Sequence, residues 1–216
     1  MNHILEFDIF ESKKYGCSIE DDISGFKSWF LDWKGLYNFL KENKKIKEGD
    51  PLIIVWGPDQ KLYYTNDGKS LIKSFKVSTG SKGFGNEKDI PKTPLGLLKT
   101  GRSVRAPKLH QVLVSKTPYY NPKDGKPFIV NPGEDSSRID GEGKKHKAEV
   151  LTGLIELHGI EDCNSNAFSR SIYFHGTNRE DRLGSKASGG CIRVSNKDII
   201  WMIPNVKSGT KVYVKP

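Results

Sequence analysis

The chain has 216 residues, 35% hydrophobic and 10% aromatic, which is long enough for one globular domain with a small extension and excludes global disorder. Lysine and arginine outnumber aspartate and glutamate by 35 to 26, and the resulting charge of +9 favours a polyanionic partner such as a nucleic acid, an anionic lipid or an acidic cell-wall polymer. We expect no nucleic-acid partner, because the sequence contains no arginine-rich arm, zinc-finger spacing or RNA-binding aromatic motif.

Residues 1–50 predict a helical N-terminal extension. Apolar side chains recur there at spacings of three and four, at Ile23, Phe26, Trp29, Phe30, Trp33, Leu36, Tyr37 and Leu40. We expect one amphipathic helix within residues 20–48 that packs on the main domain, with a partner-binding helix as the alternative. The first residues lack the features of a signal peptide, and no window is apolar enough to span a bilayer, so we expect a chain that is not transmembrane.

Residues 51–216 predict a second unit, which is mainly β. Short β-type runs alternate with turn residues, beginning with "PLIIVWG" and "KLYYT" and ending with "SIYFHG" and "KVYVKP". This spacing favours a largely antiparallel β-sandwich or barrel. A short helix is predicted after Ser195, because "SNKD" places a capping serine three residues before Asp198. Residues 118–147 are rich in glycine, proline and charge and predict a long surface excursion.

The three cysteines, Cys17, Cys163 and Cys191, have no paired spacing, so we expect no structural metal site. An odd number leaves at least one thiol free. A Cys17–Cys163 disulfide is an open alternative if the protein is exported.

Cys191 and His175 are the candidate catalytic pair. Cys191 follows Gly189 and Gly190, so the amides of Gly190 and Cys191 can approach a substrate carbonyl and form an oxyanion hole. His175 ends a predicted strand, where a backbone carbonyl can orient its ring and leave one nitrogen to take the thiol proton. A buried structural histidine and an unreactive loop thiol are the alternative. Arg193 lies two residues beyond Cys191, and its charge predicts a depressed thiol pKa and a contact with a substrate carboxylate.

The stretch from Tyr173 to Asn196 resembles the YkuD-like L,D-transpeptidase catalytic domain family. The matching residues are His175, Gly176, Thr177, Gly184, Ser188, Gly190, Cys191, Ile192, Arg193, Asn196 and Asp198, together with Thr93, Pro94 and Gly96 upstream. The resemblance covers about residues 51–216. Many members carry a histidine where this chain has Gly189, and the usual export signal is missing.

The resemblance implies a peptidoglycan-modifying cysteine enzyme that needs no metal or organic cofactor. Cys191 would attack the third residue of a stem tetrapeptide, usually meso-diaminopimelate, and D-alanine would leave. His175 would act as the base, oriented by the Gly176 carbonyl, and the Gly190 amide would hold the oxyanion. A second stem amine would then complete a 3–3 cross-link.

The same resemblance makes four residues candidate substrate contacts, Arg193, His158, Ser188 and Thr177. The alternatives are that Arg193, Ser188 and Thr177 fix the loop and that His158 is a histidine hydrogen-bonded beside the site. The resemblance places the protein in the periplasm or cell envelope, a location that the missing signal leaves open. One alternative is an L,D-carboxypeptidase that passes the same thioester to water. Another, of a different class, is a wall-binding module without turnover.

Overall fold

The structure is a computed structural model that describes residues 32–139 and 143–216, so Cys17 and the first part of the predicted helix lie outside it. Its helices are α1 (Trp33–Glu42) and α2 (Asn196–Asn205), with two short 3₁₀ turns at Asp162–Asn164 and Glu180–Arg182. Its strands are β1 (Leu52–Trp56), β2 (Lys61–Thr65), β3 (Leu71–Lys76), β4 (Gly96–Arg105), β5 (Leu113–Val114), β6 (Thr117–Pro118), β7 (Ser137–Ile139), β8 (Lys145–Lys147), β9 (Leu151–Gly159), β10 (Tyr173–Gly176), β11 (Ile192–Val194) and β12 (Lys211–Lys215).

Eight of these strands form one mixed sheet, in the order β11-β10-β9-β4-β12-β1-β2-β3. Most neighbours are antiparallel, but β1 pairs with β12 and β10 pairs with β11 in parallel. The prediction of a mainly β fold is therefore confirmed. The two parallel pairs join strands that are distant in sequence or separated by a loop, which local patterns do not reveal.

The two ends of the sheet approach each other, so that the sheet curls into a half-barrel. Beyond β3, Ser78 forms an isolated bridge to Arg193 of β11, with reciprocal amide-to-carbonyl hydrogen bonds of 2.9 Å. The next residue, Thr79, accepts hydrogen bonds from the amides of Ala187 and Ser188 at 2.9 and 2.8 Å. The Ser-Thr-Gly turn at residues 78–80 therefore holds the loop that precedes β11.

Helix α1 packs on the sheet through Leu36, Tyr37, Phe39 and Leu40, all buried against residues of β1, β4 and β12. Asp32 caps its N-terminus by accepting a 2.7 Å hydrogen bond from the Gly35 amide. This confirms that the helix packs on the main domain. The predicted C-terminal end is wrong, since the helix stops at Glu42 and Asn43 is its C-cap. The boundary at residue 50 stays a prediction.

Helix α2 begins as predicted and covers the opposite side of the sheet. The Ser195 hydroxyl accepts a 3.0 Å hydrogen bond from the Asp198 amide, which is the expected capping contact. Ile199 and Met202 are fully buried in the main core, which also contains Phe174 and Ile192. No helix in the described part of the chain is long and apolar enough to cross a membrane.

Candidate active site

The sheet edge formed by β9, β10 and β11 has one apolar face and one polar face. On β10, Phe174 is buried in the main core, whereas its neighbours Tyr173 and His175 point the other way because side chains alternate along a strand. In the ladders, Tyr173 lies opposite Glu156 of β9, and His175 lies opposite Arg193 of β11. Opposed residues share a face. The polar face therefore collects the candidate base and its charged neighbours.

The loop before β11 is held in a tight turn around two glycines. The Ser188 hydroxyl donates to the Cys191 carbonyl at 2.6 Å and accepts from the Gly190 amide at 3.1 Å. The Thr93 hydroxyl donates to the Gly190 carbonyl at 2.9 Å and accepts from the Gly80 amide at 2.8 Å. These contacts fix the backbone that carries the thiol.

Only one of the two loop glycines is required by the conformation. Gly190 has φ +124°, and a side-chain carbon added to it would lie 3.0 Å from the Lys92 carbonyl oxygen. The same carbon on Gly189 would meet nothing within 4 Å. The amide of Gly190, predicted to bind an oxyanion, donates to Ser188 in this structure. Of the two amides predicted to donate to the oxyanion, we therefore retain that of Cys191.

Cys191 is a free thiol, partly exposed, at the start of the polar face. Its Sγ donates a 3.2 Å hydrogen bond to the Ser171 carbonyl. Desolvation raises the pKa of the Cys191 thiol to about 11, although the Tyr173 amide and the Arg193 guanidinium oppose the rise. The predicted depressed pKa is wrong, because desolvation outweighs the nearby positive charge.

His175 is buried, with only 2% of its surface exposed. Its Nδ1 lies 2.8 Å from the Gly176 carbonyl oxygen, which can only accept, so Nδ1 carries the proton and Nε2 keeps its lone pair. Burial, aided by Arg193, lowers the pKa of His175 to about 4. The imidazole is therefore neutral at pH 7 and held in one tautomer by the expected carbonyl.

Arg193 is buried and is held by protein groups. Its Nη2 lies 2.9 Å from Glu149 Oε2, and its Nη1 donates to the Ala187 carbonyl at 3.2 Å. Its Nε has no hydrogen-bond partner among the described residues. Two of the three guanidinium nitrogens are thus held by protein groups, and the third, Nε, is buried.

A family model for the YkuD L,D-transpeptidase catalytic domain matches residues 50–214 of this chain. The chain belongs to this family. It is also similar to YqjB of Bacillus subtilis (40% identical over 101 residues, 44% of this chain and 57% of that protein) and to ErfK/SrfK of Escherichia coli K12 (24% over 162 residues, 75% and 43%), both assigned to the L,D-transpeptidases. The matches thus span only about half the length of these relatives.

Solved L,D-transpeptidases resemble the structure at low sequence identity. An enzyme from Mycobacterium smegmatis is 16% identical, with 77% of this chain and 58% of that chain covered and a TM-score of 0.44. A variant of the Enterococcus faecium enzyme is 15% identical, with 77% and 50% covered and a TM-score of 0.45.

Two of the residues that the YkuD resemblance assigned to substrate have other partners. His158 stacks on Phe168 with ring centres 4.4 Å apart, and its Nε2 lies 3.5 Å from Glu156. Thr177 is fully buried, and its hydroxyl accepts from the Arg179 amide at 3.1 Å. These contacts are consistent with structural roles for His158 and Thr177. The substrate roles stay predictions.

Asn196 is the first residue of α2, directly after the cap Ser195, and its side chain is buried. Its side-chain amide donates to the Thr177 carbonyl at 2.7 Å and to Glu180 at 2.8 Å, and its Oδ1 accepts from Thr152 at 2.6 Å. This YkuD-motif residue therefore joins the segments that carry Thr152, Thr177 and Glu180.

Several neighbours of the site carry no sequence signal. The Ser171 carbonyl and Tyr173 amide that contact the thiol are backbone groups, which any residue supplies. Glu149 lies just after the excursion of residues 118–147, and its partner Arg193 is 44 residues away. Such contacts follow from the tertiary fold alone. Of the predicted residues, the structure brings together Cys191, His175, Gly176, Gly190, Ser188 and Arg193.

Two clefts flank this group. One, of about 690 Å³, is lined by Glu149, Asn178 and Arg179 among others, on the Arg193 side. The other, of about 580 Å³, is lined by Ser171 and Gly189, on the thiol side. The second cleft therefore borders the loop that carries Cys191.

Proposed function

We propose that this chain is an L,D-transpeptidase that acts on peptidoglycan stem peptides in the cell envelope, with Cys191 as nucleophile and His175 as base. The observation that carries the proposal is the hydrogen bond from His175 Nδ1 to the Gly176 carbonyl, which leaves Nε2 as the basic nitrogen on the face that also carries Cys191. Membership of the YkuD family supports the same chemistry.

The neutral state of both groups supports a general-base mechanism rather than a preformed ion pair. A thiol with a pKa of about 11 and an imidazole with a pKa of about 4 both stay uncharged at pH 7. The Cys191 proton therefore moves to His175 Nε2 as the sulfur–carbon bond forms. The Cys191 amide is the proposed donor to the oxyanion.

The first half-reaction ends when the carbon–nitrogen bond of the donor breaks. The imidazolium of His175 returns its proton to the departing amine of D-alanine, and a thioester remains on Cys191. In the second half-reaction an acceptor amine attacks the thioester carbonyl and loses a proton to Nε2. The sulfur–carbon bond then breaks, and the thiolate takes this proton to restore the thiol.

Mass spectrometry of disaccharide-tetrapeptide muropeptides incubated with the protein and with Cys191→Ala tests the proposal. Loss of D-alanine with new dimers, absent in the variant, is the expected result. Monomeric tripeptides alone would mean that water takes the thioester, as in a carboxypeptidase. Untouched substrate that still binds both proteins equally would identify a binding module and contradict the proposed activity.

A further inference from the structure

The cleft on the thiol side opens directly at the proposed nucleophile. It has a volume of about 580 Å³, and its walls are the segments 88–91 and 169–172 together with Asn166 and Gly189. Ser171, in one wall, accepts the hydrogen bond of the Cys191 thiol, and Gly189 lies two residues before Cys191. A group that occupies this cleft is therefore adjacent to any carbonyl that the thiol attacks.

Arg170 places a fixed positive charge in the wall of this cleft. Its Nη2 donates to the carbonyls of Lys92 at 2.7 Å and Ile90 at 3.3 Å, and its Nη1 donates to the Gly85 carbonyl at 3.3 Å. These partners are all neutral. Within residues 32–139 and 143–216, no carboxylate lies within ion-pair distance of Arg170. The guanidinium is thus held in place without a contact ion pair, although Glu87 and the wall residue Asp89 are near enough to act on its charge. Its three hydrogen bonds use both N–H groups of Nη2 and one of Nη1, which leaves donors on Nη1 and Nε.

The other polar groups of the cleft carry both charges: Lys88 and Asp89 lie in one wall, and the Ser169 hydroxyl in the other wall donates to the Asn166 carbonyl at 3.0 Å. Lys88 is exposed on the facing wall and forms no ion pair with any other described residue. Asn166 Oδ1 is buried without a hydrogen bond to any described residue. The side-chain amide of Asn166 donates to the carbonyl of Asn86 at 2.7 Å. Asn86 is only 8% exposed, and neither of its side-chain polar atoms has a hydrogen bond to a described residue. Buried polar atoms are normally paired. Asn166 Oδ1 is an acceptor, so it would pair with a donor group of an occupant and not with a carboxylate.

We propose that this cleft binds the free carboxylate of the residue that leaves when Cys191 attacks, with Arg170 and Lys88 as its cationic contacts. This assignment rests on the proposed function, in which the leaving residue is a terminal amino acid. Arg170 Nη2 lies 3.7 Å from the point that a side-chain carbon on Gly190 would occupy, one residue from the nucleophile. A terminal carboxylate lies only two bonds from the leaving nitrogen, so a cation this close to the loop suits it.

The inference predicts a preference for one length and one terminus of donor. A peptide that ends one residue beyond the scissile bond with a free carboxylate satisfies the two cations. The same peptide with a C-terminal carboxamide leaves them unpaired. Charge-assisted hydrogen bonds are about twice as strong as neutral ones, and a hydrogen bond to a charged group contributes enough to change affinity roughly tenfold or more.

The test measures the binding of a stem tetrapeptide, as free acid and as C-terminal amide, to full-length protein carrying Cys191→Ala. We expect the acid to bind about tenfold more tightly than the amide. Adding Arg170→Met should abolish this preference, and Lys88→Met should reduce it. Lys69→Met, a control at an exposed lysine between β2 and β3, should leave it unchanged.

Because the Lys88 side chain is exposed, Lys88→Met should leave the fold intact, and its effect on binding can be interpreted without a change in folding. Equal affinity for acid and amide, or a preference that survives both Lys88→Met and Arg170→Met, overturns the inference. Turnover by the unsubstituted protein separates the two proposals. Cleavage of both peptides without preference overturns the subsite alone. A carboxylate preference in binding without any cleavage retains the subsite and overturns the proposed function.

Discussion

The two faces of the β9–β10–β11 edge are built from alternate residues of the same strands but are stabilised differently. On one face, Phe174, Ile192 and Ile155 are buried in a continuous apolar core under α2. On the other, His175 and Arg193 are equally buried but are held by single hydrogen bonds to Gly176, Ala187 and Glu149. The first face supplies stability through packing. On the second face polar groups are removed from water, and this desolvation shifts the pKa values of His175 and Cys191 toward their neutral forms.

The largest expected effect separates the two faces. Cys191→Ala should reduce turnover on the order of 10⁴-fold or more while leaving the free energy of unfolding nearly unchanged, because the thiol is partly exposed and Ala is of similar size. Phe174→Ala should lower the free energy of unfolding by about 3–5 kcal/mol, because it opens a cavity in the core. Chemical denaturation and muropeptide assays measure both. A strongly destabilised Cys191→Ala protein would contradict the comparison.

The buried His175 predicts a pH dependence of stability. Its pKa is about 4 when folded and about 6.5 when unfolded, so the unfolded chain binds the extra proton first as the pH falls. Its contribution is complete above pH 6.5 and is lost between pH 6.5 and 4, by about 3 kcal/mol. Denaturation at pH 7 and pH 4 should show this loss in the wild type and a smaller one in His175→Gln. An equal loss in both proteins would mean that carboxylates, not His175, dominate.

The two loop glycines provide a smaller comparison on the polar face. Gly190→Ala should destabilise the protein by about 1–3 kcal/mol and slow acylation of Cys191, because φ +124° is unfavourable for alanine and the added carbon meets the Lys92 carbonyl. Gly189→Ala, where nothing lies within 4 Å, should change stability by no more than about 0.5 kcal/mol. Thermal denaturation of the two variants measures this difference in stability. Similar losses would show that the turn does not depend on Gly190.

The smallest effect concerns Glu149, whose carboxylate raises the pKa of both Cys191 and His175. Glu149→Gln removes this charge and leaves Arg193 without its counterion. The midpoint of iodoacetamide alkylation against pH should therefore move below that of the wild-type protein. Asp181→Asn is the matched control, since that acid pairs with the exposed Arg179. A midpoint that stays the same or rises would contradict the electrostatic role of Glu149.

The sequence by itself determined the features that depend on neighbouring residues. The capping contact of Ser195 with Asp198, the strand that carries His175 and the glycine turn before Cys191 all follow from local chemistry, and the family resemblance carried the remaining motif residues. The mainly β fold class was predicted in the same way, because turn residues and short apolar runs indicate the local conformation of the backbone.

Only the tertiary structure decided what surrounds the reactive groups. The parallel pairing of β10 with β11, the pairing of Arg193 with Glu149 and the position of Arg170 beside Gly190 join residues that lie far apart in the chain. The direction of the thiol pKa was wrong from sequence for the same reason. Motif charges can be counted in a sequence, but the desolvation of Cys191 and His175 depends on how completely the folded chain encloses them.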